Sequence, residues 1–192
     1  IEEGLASEYG EYCAELKAAE ANRFGIVSEH KLNYAYHLDA SAYGRYLRTM
    51  AEASGVTRIE GKIAEVNLTP STGFIDHLLL DDGRVVEGDL FIDCTGFRAL
   101  LIEEALKTGF DDWTHWLPCN RAWAVQTELT GEPVPYTRAI AHDAGWRWRI
   151  PLQHRAGNGL VYCNEFLDED AAHERLLSLI DGKLLIDPRP IR

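Results

Sequence analysis

The sequence lacks the residue spacings that mark most metal sites. Its seven histidines form no HxxxH or HExxH pattern, and no CxxC pair occurs among its four cysteines, Cys13, Cys94, Cys119 and Cys163. Because zinc ligands usually occur in such close pairs, no metal site is expected. A chain of 192 residues also does not depend on disulfides for its stability. Since no signal peptide is recognisable, we expect four reduced thiols in a cytoplasmic protein.

Long apolar runs are missing as well, and the longest covers only a few residues around Leu78, Leu79 and Leu80. A membrane helix needs roughly 18 such residues, so no membrane span is predicted. Basic residues are also few, because 19 Lys and Arg stand against 31 Asp and Glu, for a formal net charge of −12. That balance argues against a nucleic-acid partner, whose phosphates require a basic surface. With 46% hydrophobic and 26% charged residues, the composition is that of a globular chain of one domain or slightly more.

Helical spacing of apolar residues predicts four helices. The first ends near Asn22 and carries apolar residues at Leu5, Tyr9, Tyr12, Cys13, Leu16 and Ala19. The second begins after Asp39, a suitable N-cap, and stops at Gly55, a suitable residue just beyond a helix end. A third is expected at about residues 99–106, and a fourth begins after Asp168 and runs through Ile180.

Alternating and unbroken apolar runs predict the strands. Residues 32–38 alternate as a short strand, and residues 56–94 indicate a small β-meander with turns at 70–73 and 81–83. The unbroken run Leu90–Ile92 is typical of a strand that is covered on both faces in a parallel sheet. The second half predicts an antiparallel sheet of hairpins, in which the segments 131–133, 144–145 and 157–159 separate four strands at 122–129, 137–142, 146–152 and 160–166.

The strand that ends in Asp93, Cys94, Thr95 and Gly96 is the first candidate for a functional site. Ligands in open α/β sheets bind at the carboxyl ends of the strands, and a glycine there lets a diphosphate or a sugar approach the backbone. The alternative is that Gly96 only turns the chain into the next helix. The strand and the turn by themselves do not decide between these two interpretations.

A second candidate is the segment Trp146–Pro151, which reads WRWRIP. On a strand both tryptophans point to the same face, where two indoles form a flat wall of the kind that lines an aromatic ligand. Aromatic residues are also common on ordinary half-buried sheet faces. The pattern alone favours that purely structural interpretation.

Three stretches of the sequence resemble motifs of the flavin-dependent halogenases of the tryptophan halogenase family. Residues 36–40 match Y-H-x-D-A, residues 88–97 match G-D-L-F-I-D-C-[ST]-G-F, and residues 146–151 match W-x-W-x-I-P. The last pattern separates these halogenases from related flavin monooxygenases, whereas the Thr-Gly strand is shared by many flavoproteins. The spacing also fits, as do residues 116–122 and 135–137, so the resemblance covers nearly all of residues 30–192.

The resemblance implies a mixed α/β (α+β) fold. Residues 1–110 would form part of a glutathione-reductase-like FAD-binding module with the β-meander, and residues 111–192 part of an antiparallel sheet domain that covers substrate or cofactor. The family's GxGxxG fingerprint is absent, and none of the five lysines lies in the context of the family's essential lysine. We therefore expect the middle part of an enzyme, whose catalytic lysine and glutamate lie outside this chain and which is inactive by itself.

The family's reaction is the halogenation of an electron-rich aromatic compound such as tryptophan or another indole. Reduced FAD from a separate flavin reductase reacts with oxygen to a flavin hydroperoxide, and chloride or bromide converts this to hypohalous acid. The resemblance thus implies a small aromatic substrate, a reductase partner and a homodimer for the full-length protein, with no nucleic acid and no membrane. A class A flavin monooxygenase and a non-enzymatic domain that binds aromatic ligands are the alternatives.

The resemblance also assigns roles to residues of both candidate sites. Thr95 and Gly96 would bring backbone next to FAD, and Ile63 would offer backbone groups to its adenine. A wall beside the flavin or its tunnel would be formed by Trp146, Trp148, Ile150 and Pro151. This wall would keep the substrate from the flavin hydroperoxide, so that hydroxylation does not compete. None of these residues needs to act as an acid or a base.

Overall fold

The computed structural model describes residues 10–25 and 33–192 of the chain. By its internal contacts the chain divides into two compact units. The first, here called the sheet unit, combines Ile1–Arg45 with Trp113–Arg192, and the second, the meander unit, is Tyr46–Asp112. The predicted division into an FAD-binding part (1–110) and a sheet domain (111–192) assigns functions to these segments, and it stays a prediction. In the described residues, no helix combines the length and the apolar character that crossing a membrane requires.

The described residues form three α-helices and eight β-strands, and the strands make two antiparallel sheets. The helices are α1 (Ala14–Glu20), α2 (Ala40–Ala53) and α3 (Glu169–Leu179). The strands are β1 (Ile63–Leu68), β2 (Ile75–Leu80), β3 (Val85–Glu87), β4 (Arg121–Thr127), β5 (Arg138–His142), β6 (Gly145–Pro151), β7 (Ala156–Tyr162) and β8 (Arg189–Ile191). The predicted mixture of helices and sheets is confirmed at this level.

Two helices begin at the side chains that the sequence indicates. Asp39 accepts a hydrogen bond from the Ala42 N–H at its Oδ1 (2.9 Å) and so caps α2. Gly55 follows the end of α2 with a φ of 94°, a conformation that glycine adopts without strain. Asp168 caps α3 in the same way, because its Oδ1 accepts from the Ala171 N–H (2.8 Å). The predicted starts of these two helices are therefore confirmed, and α3 ends at Leu179, one residue before the predicted end at Ile180.

The end of the first predicted helix is confirmed, since α1 ends just before Asn22. Its predicted start is wrong in the described part, because Tyr12 lies in a 3₁₀ turn and Cys13 has an extended backbone, so that α1 begins only at Ala14. Leu5 and Tyr9 of that predicted helix lie outside the described residues, as does the first residue of the strand predicted at 32–38. The strand prediction is wrong for its described part, because residues 33–38 form no strand. Side chains hold this segment instead of a backbone ladder. Asn33, for example, donates from its side chain to the Glu15 carboxylate (3.4 Å).

The meander unit contains the predicted β-meander. Strand β2 pairs with β1 on one side and with β3 on the other, in antiparallel register. The hairpin between β2 and β3 is closed by a turn in which the Gly83 N–H donates to the Leu80 carbonyl (3.0 Å). Residues 56–62 lie outside the strands, so the sheet begins only at Ile63.

The parallel strand predicted at Leu90–Ile92 is wrong in this structure. These residues have no strand conformation, and the side chains of Leu90 and Ile92 are 81% and 78% exposed. A central parallel strand needs hydrogen-bonded strands on both sides, and within residues 10–25 and 33–192 no strand pairs with this segment. A 3₁₀ turn at Gly96–Arg98 then leads into a π-helix at Leu100–Ala105, where the third helix was predicted.

The sheet unit is built on five antiparallel strands in the order β5-β6-β7-β4-β8. Four of them confirm the predicted hairpin sheet. Strand β8 was not predicted, because a three-residue strand with a central proline carries no strand pattern. Helix α3 packs on one face of this sheet, and the buried core between them includes Val125, Leu160, Tyr162, Ala172 and Leu176.

One turn of the predicted sheet was put in the wrong place. Residues Gly157–Gly159 lie inside β7, and the hairpin between β6 and β7 is closed before them, by the Leu152 N–H donating to the Arg155 carbonyl (2.8 Å). Glycine clusters usually indicate turns. Here Gly159 is opposite Trp148 in the neighbouring strand, and that neighbour, not a chain reversal, is the reason for the glycine.

Candidate functional site

The sheet of the sheet unit has two different faces. Side chains alternate along a strand, so Trp146, Trp148 and Ile150 of β6 leave one face and Arg147 leaves the other. Arg147 reaches α3, where its Nη1 donates to the Leu179 carbonyl (2.7 Å). Because α3 and the buried core lie on that side, the two tryptophans are on the opposite face, here called the tryptophan face.

The two indoles are neighbours on the tryptophan face. The ring centroids of Trp146 and Trp148 are 5.9 Å apart, and the ring planes are inclined by 51°. This separation lies within the range of favourable aromatic pairs. Trp146 is 41% exposed, and Trp148 is half-buried. Both indoles therefore leave the same face, as the strand pattern predicts, and together they form one partly exposed aromatic surface.

Small residues surround Trp148 on this face. Its partners across the sheet are Ala139 in β5 and Gly159 in β7, and Gly159 in turn pairs with Ala124 in β4. The indole lies directly on the glycine, since a Cβ atom built on Gly159 would come within 2.0 Å of Cζ2 and Cη2 of Trp148. Sequence reasoning missed this contact. The Leu152–Arg155 turn sets the register of the hairpin, but its own residues include no glycine or proline that would indicate a turn in the sequence.

Strand β6 ends at Pro151, as the missing N–H of proline predicts. Pro151 follows Ile150 by one residue, so the alternation places it on the opposite face from Trp148, where it is fully buried. Of the four predicted wall residues, the structure thus brings three together on the tryptophan face, and Pro151 anchors the end of the strand.

His37 ties the stretch 36–40 to the end of β6. Its Nδ1 lies 2.8 Å from the Pro151 carbonyl oxygen, and its Nε2 lies 3.2 Å from the Thr137 hydroxyl. A carbonyl oxygen only accepts hydrogen bonds, so Nδ1 carries a proton and donates it to Pro151. Two of the three motif stretches, separated by more than a hundred residues of chain, therefore meet at this point.

Asp39 makes a second connection at the same place. Its Oδ2 lies 3.2 Å from Nε2 of His154 and 3.4 Å from Nη2 of Arg155, in the turn that follows β6. The Ala42 N–H and, after it, the Arg155 charge lower the pKa of the Asp39 carboxyl below its usual value. The carboxylate stays ionised at neutral pH and holds both the start of α2 and the β6–β7 turn.

The third motif stretch lies in the meander unit and is organised by Asp93. Oδ1 of Asp93 accepts hydrogen bonds from the Thr95 N–H (2.9 Å) and hydroxyl (2.7 Å). Oδ2 accepts from the N–H groups of Leu101 (2.9 Å) and Ile102 (3.0 Å) at the start of the π-helix. The Ile102 N–H, followed by the Thr95 hydroxyl, strongly lowers the pKa of Asp93. Asp93 therefore shapes the backbone of this stretch.

The predicted FAD contacts Thr95, Gly96 and Ile63 all lie in the meander unit. The Thr95 hydroxyl accepts a hydrogen bond from the Leu100 N–H (2.9 Å) and donates to Asp93, so it is used within the protein. Gly96 has a φ of 71°, and no atom lies within 4 Å of the position that a Cβ would take. Its backbone is thus both turned and open, and the FAD contact at Gly96 stays a prediction. Ile63 begins β1, one of the two edge strands of the meander.

Asp93→Asn is expected to reduce stability at neutral pH. The folded-state pKa of Asp93 is lowered, so its contribution is complete above the unfolded-state pKa and is lost as the pH falls through the folded-state value. The asparagine amide also replaces one carboxylate oxygen, which accepts hydrogen bonds, by an NH₂ group. That NH₂ group would face the donors of Thr95 or those of Leu101 and Ile102. Thermal melts of the full-length protein between about pH 3 and pH 7 should show a smaller loss of stability below about pH 4 for the variant. Asp89→Asn, four residues earlier, is the control, and equal pH profiles for both variants would contradict the role of Asp93.

The sheet unit also contains a cavity of about 810 Å³. Its wall includes Phe24, Tyr34, Tyr36 and Tyr136, and His37 lines it as well. Phe24 and Tyr34 meet edge to face with ring centroids 5.0 Å apart, and Tyr34 and Tyr36 do so at 5.8 Å. A cavity of this size with aromatic walls suits a planar aromatic ligand. Among the described residues, His, Cys, Asp and Glu side chains do not gather in groups of three that could hold a metal ion.

A sequence profile of tryptophan halogenases matches residues 1–192. The chain belongs to the tryptophan halogenase family. This confirms the resemblance that the three motif stretches indicate. Two of those stretches, residues 36–40 and 146–151, are in contact at the end of β6.

Curated members of the family agree with this assignment. The chain is 41% identical to the tryptophan 6-halogenase ThaL of Streptomyces albogriseolus over 161 residues, which is 82% of this chain and 30% of that protein. It is 39% identical to the tryptophan 7-halogenase RebH of Lentzea aerocolonigenes over 144 residues, which is 73% of this chain and 27% of that protein. The chain thus spans less than a third of the length of these two halogenases.

Solved halogenase structures resemble this chain over nearly its whole length. A flavin-dependent halogenase from Xanthomonas campestris is 52% identical with a TM-score of 0.91, and the match covers 98% of this chain and 38% of that one. A second, from Brevundimonas sp. BAL3, is 46% identical with a TM-score of 0.87, and covers 95% of this chain and 39% of that one. The arrangement of helices and two antiparallel sheets is therefore one that occurs in flavin-dependent halogenases.

Proposed function

We propose that the protein containing this chain halogenates an electron-rich aromatic compound, tryptophan or another indole, with reduced FAD and chloride or bromide. The observation that carries this function is the tryptophan face. Two adjacent indoles, one of them 41% exposed, lie in the W-x-W-x-I-P stretch of a chain from this family. Relatives whose names specify tryptophan support the same class of substrate.

The meander-unit residues assigned to FAD are compatible with it. Because Gly96 has no side chain, the open space beside its backbone is available to a ligand. Asp93 holds the neighbouring Thr95 in place through a hydrogen bond with its hydroxyl. In this function Thr95, Gly96 and Ile63 contact the cofactor mainly through backbone groups. Bound reduced FAD supplies the oxidising step, in which oxygen and halide are activated for attack on the aromatic ring.

The sheet unit contributes containment and orientation. The indoles of Trp146 and Trp148, with Ile150 beside them and Pro151 anchoring the strand, form the wall of the flavin site or its tunnel. Indole and aliphatic side chains neither give nor take protons at neutral pH, so this wall excludes water and holds flat ring systems in place. The acid–base and halogen-transferring groups, a lysine and a glutamate, belong to parts of the protein outside this chain.

At the level of the whole protein, residues 1–110 are proposed to belong to a glutathione-reductase-like FAD module, and residues 111–192 to the sheet domain that covers substrate or cofactor. The protein works in the cytoplasm as a homodimer and receives reduced FAD from a separate flavin reductase. The two solved flavin-dependent halogenases with TM-scores of 0.91 and 0.87 support the dependence on flavin in this proposal.

The reaction itself is the first test of this function. The full-length protein, supplied with FAD, a flavin reductase, NADH and tryptophan or indole, is expected to form a halogenated product only when chloride or bromide is present. Mass spectrometry of the products with and without halide measures this. A hydroxylated product that forms equally well without halide would contradict halogenation and support the class A monooxygenase alternative.

The aromatic cavity favours a second candidate function, which is the binding of an aromatic ligand without FAD. Its edge-to-face cluster of Phe24, Tyr34 and Tyr36 presents ring faces and edges to a volume of about 810 Å³. Calorimetric titration of indole into the FAD-free protein tests this function. Indole binding that requires FAD would contradict it.

A further inference from the structure

We propose that Gly159 is a positioning residue that fixes the indole of Trp148 on the tryptophan face. The functional consequence of this role rests on the proposed halogenation. The position of the indole sets how much of the reduced flavin yields halogenated product and how much is lost as hydrogen peroxide.

The geometry leaves no space for a side chain at this position. A Cβ on Gly159 would lie 2.0 Å from Cη2, 2.0 Å from Cζ2 and 2.5 Å from Cε2 of Trp148. Ordinary contacts of a Cβ begin at 3.4 Å, so any other residue would force a displacement of more than an ångström. All three atoms belong to the indole, which therefore lies across the backbone of β7.

The strand cannot move away from this contact. Strand β7 lies between β6 and β4 and is paired to both over its full length, with Gly159 opposite Trp148 on one side and Ala124 on the other. Moving its backbone would break two ladders of hydrogen bonds. The indole is attached by two single bonds, and its partners in the two neighbouring strands are the small residues Ala139 and Gly159, so the indole is the part that would move.

Gly157 shows that the requirement is specific to one position. It lies on the same face two residues earlier, and it also interrupts the strand pattern. A Cβ there would approach only the Ile150 carbonyl oxygen at 3.8 Å and Nη1 of Arg155 at 4.0 Å, which are ordinary contacts. Gly157→Ala is therefore a matched control for Gly159→Ala.

The test compares Gly159→Ala, Gly157→Ala and the double variant Gly159→Ala/Trp148→Phe in the full-length protein. Two measurements are made on each. The first is the exciton contribution of the Trp146–Trp148 pair to the far-ultraviolet circular dichroism, which depends on the separation and inclination of the rings. The second is the ratio of halogenated product to hydrogen peroxide per reduced flavin consumed. Melting temperatures are recorded alongside.

In Gly159→Ala the exciton contribution is expected to change. The melting temperature should fall by about 3 °C or more. Product relative to peroxide should fall about tenfold, since displacements of this size disturb reacting geometry strongly. Gly157→Ala should leave the exciton contribution and the ratio unchanged. The double variant should recover most of the melting temperature, because phenylalanine lacks Cζ2 and Cη2, the two indole atoms closest to the new methyl group.

An unchanged exciton contribution in Gly159→Ala, or an equal change in Gly157→Ala, would overturn the positioning role. If Gly159→Ala does not fold, the double variant decides, since a double variant that also fails to fold would show that the collision is not with Trp148. A changed exciton contribution with an unchanged product-to-peroxide ratio would also overturn it. If the full-length protein without substitutions forms no halogenated product, the proposed function is refuted. The circular dichroism spectra would then still show whether Gly159→Ala displaces the Trp148 indole.

Discussion

Trp148→Phe is expected to keep the fold but to release several-fold more hydrogen peroxide, or some hydroxylated product, for each reduced flavin consumed. The smaller ring leaves part of the surface above Gly159 uncovered. If the indole walls the flavin site as proposed, water and substrate then reach the flavin where the indole excluded them. Product and peroxide yields measured with the full-length protein and a flavin reductase check this result.

Trp123→Phe provides the matched control for this exchange. Trp123 is in β4 of the same sheet but on the side of α3, where its Nε1 donates to the Glu169 carbonyl (3.0 Å). That variant should lose stability without changing the yields. If Trp148→Phe behaves in the same way, with a lower melting temperature and unchanged yields, the tryptophan face is an ordinary packed surface and its functional role has to be dropped.

Leu160→Ala is expected to lower the free energy of unfolding by about 3–5 kcal/mol. Leu160 has no exposed surface and packs in the core cluster that joins β7 and β4 to α3. Removing its side chain leaves a cavity between the sheet and α3. The cavity cannot close far, because β7 is held in place by its pairing with β4 and β6. Equilibrium unfolding of the full-length protein in guanidinium chloride measures the change.

Leu177→Ala serves as the control in the same region. Leu177 is on α3 but is 37% exposed, so its loss should cost less than about 1 kcal/mol. Equal destabilisation by both variants would mean that α3 does not pack on the sheet through the face that the structure shows. The core would then have to be assigned to a different set of residues.

Local signals in the sequence were reliable where a neighbouring residue decides the structure. Asp39 and Asp168 begin helices because their carboxylates accept hydrogen bonds from N–H groups three residues later. The alternation of β6 puts both tryptophans on one face, because side chains alternate along any strand. Each of these features depends on a few consecutive residues, which is why the pattern predicts them.

The same local reasoning failed where distant residues decide. Gly157–Gly159 was predicted as a turn and lies inside β7, since the signal of a glycine cluster does not include the indole across the hairpin. The strand predicted at 32–38 is replaced in its described part by side-chain contacts, among them that of His37 with Pro151. The run Leu90–Ile92 has a strand pattern but no paired neighbour in the described part of the chain.

The sequence by itself determined the family, through three short motifs, and with it the expected chemistry of flavin and halide. It also determined which residues could line the site, because residue type and alternation are local properties. Only the tertiary structure decided that His37 and Asp39 hold the end of β6 and that Trp148 rests on Gly159. The physical reason is that these contacts join residues far apart in the chain, and their geometry depends on strand register and hairpin closure, which no single stretch of sequence contains.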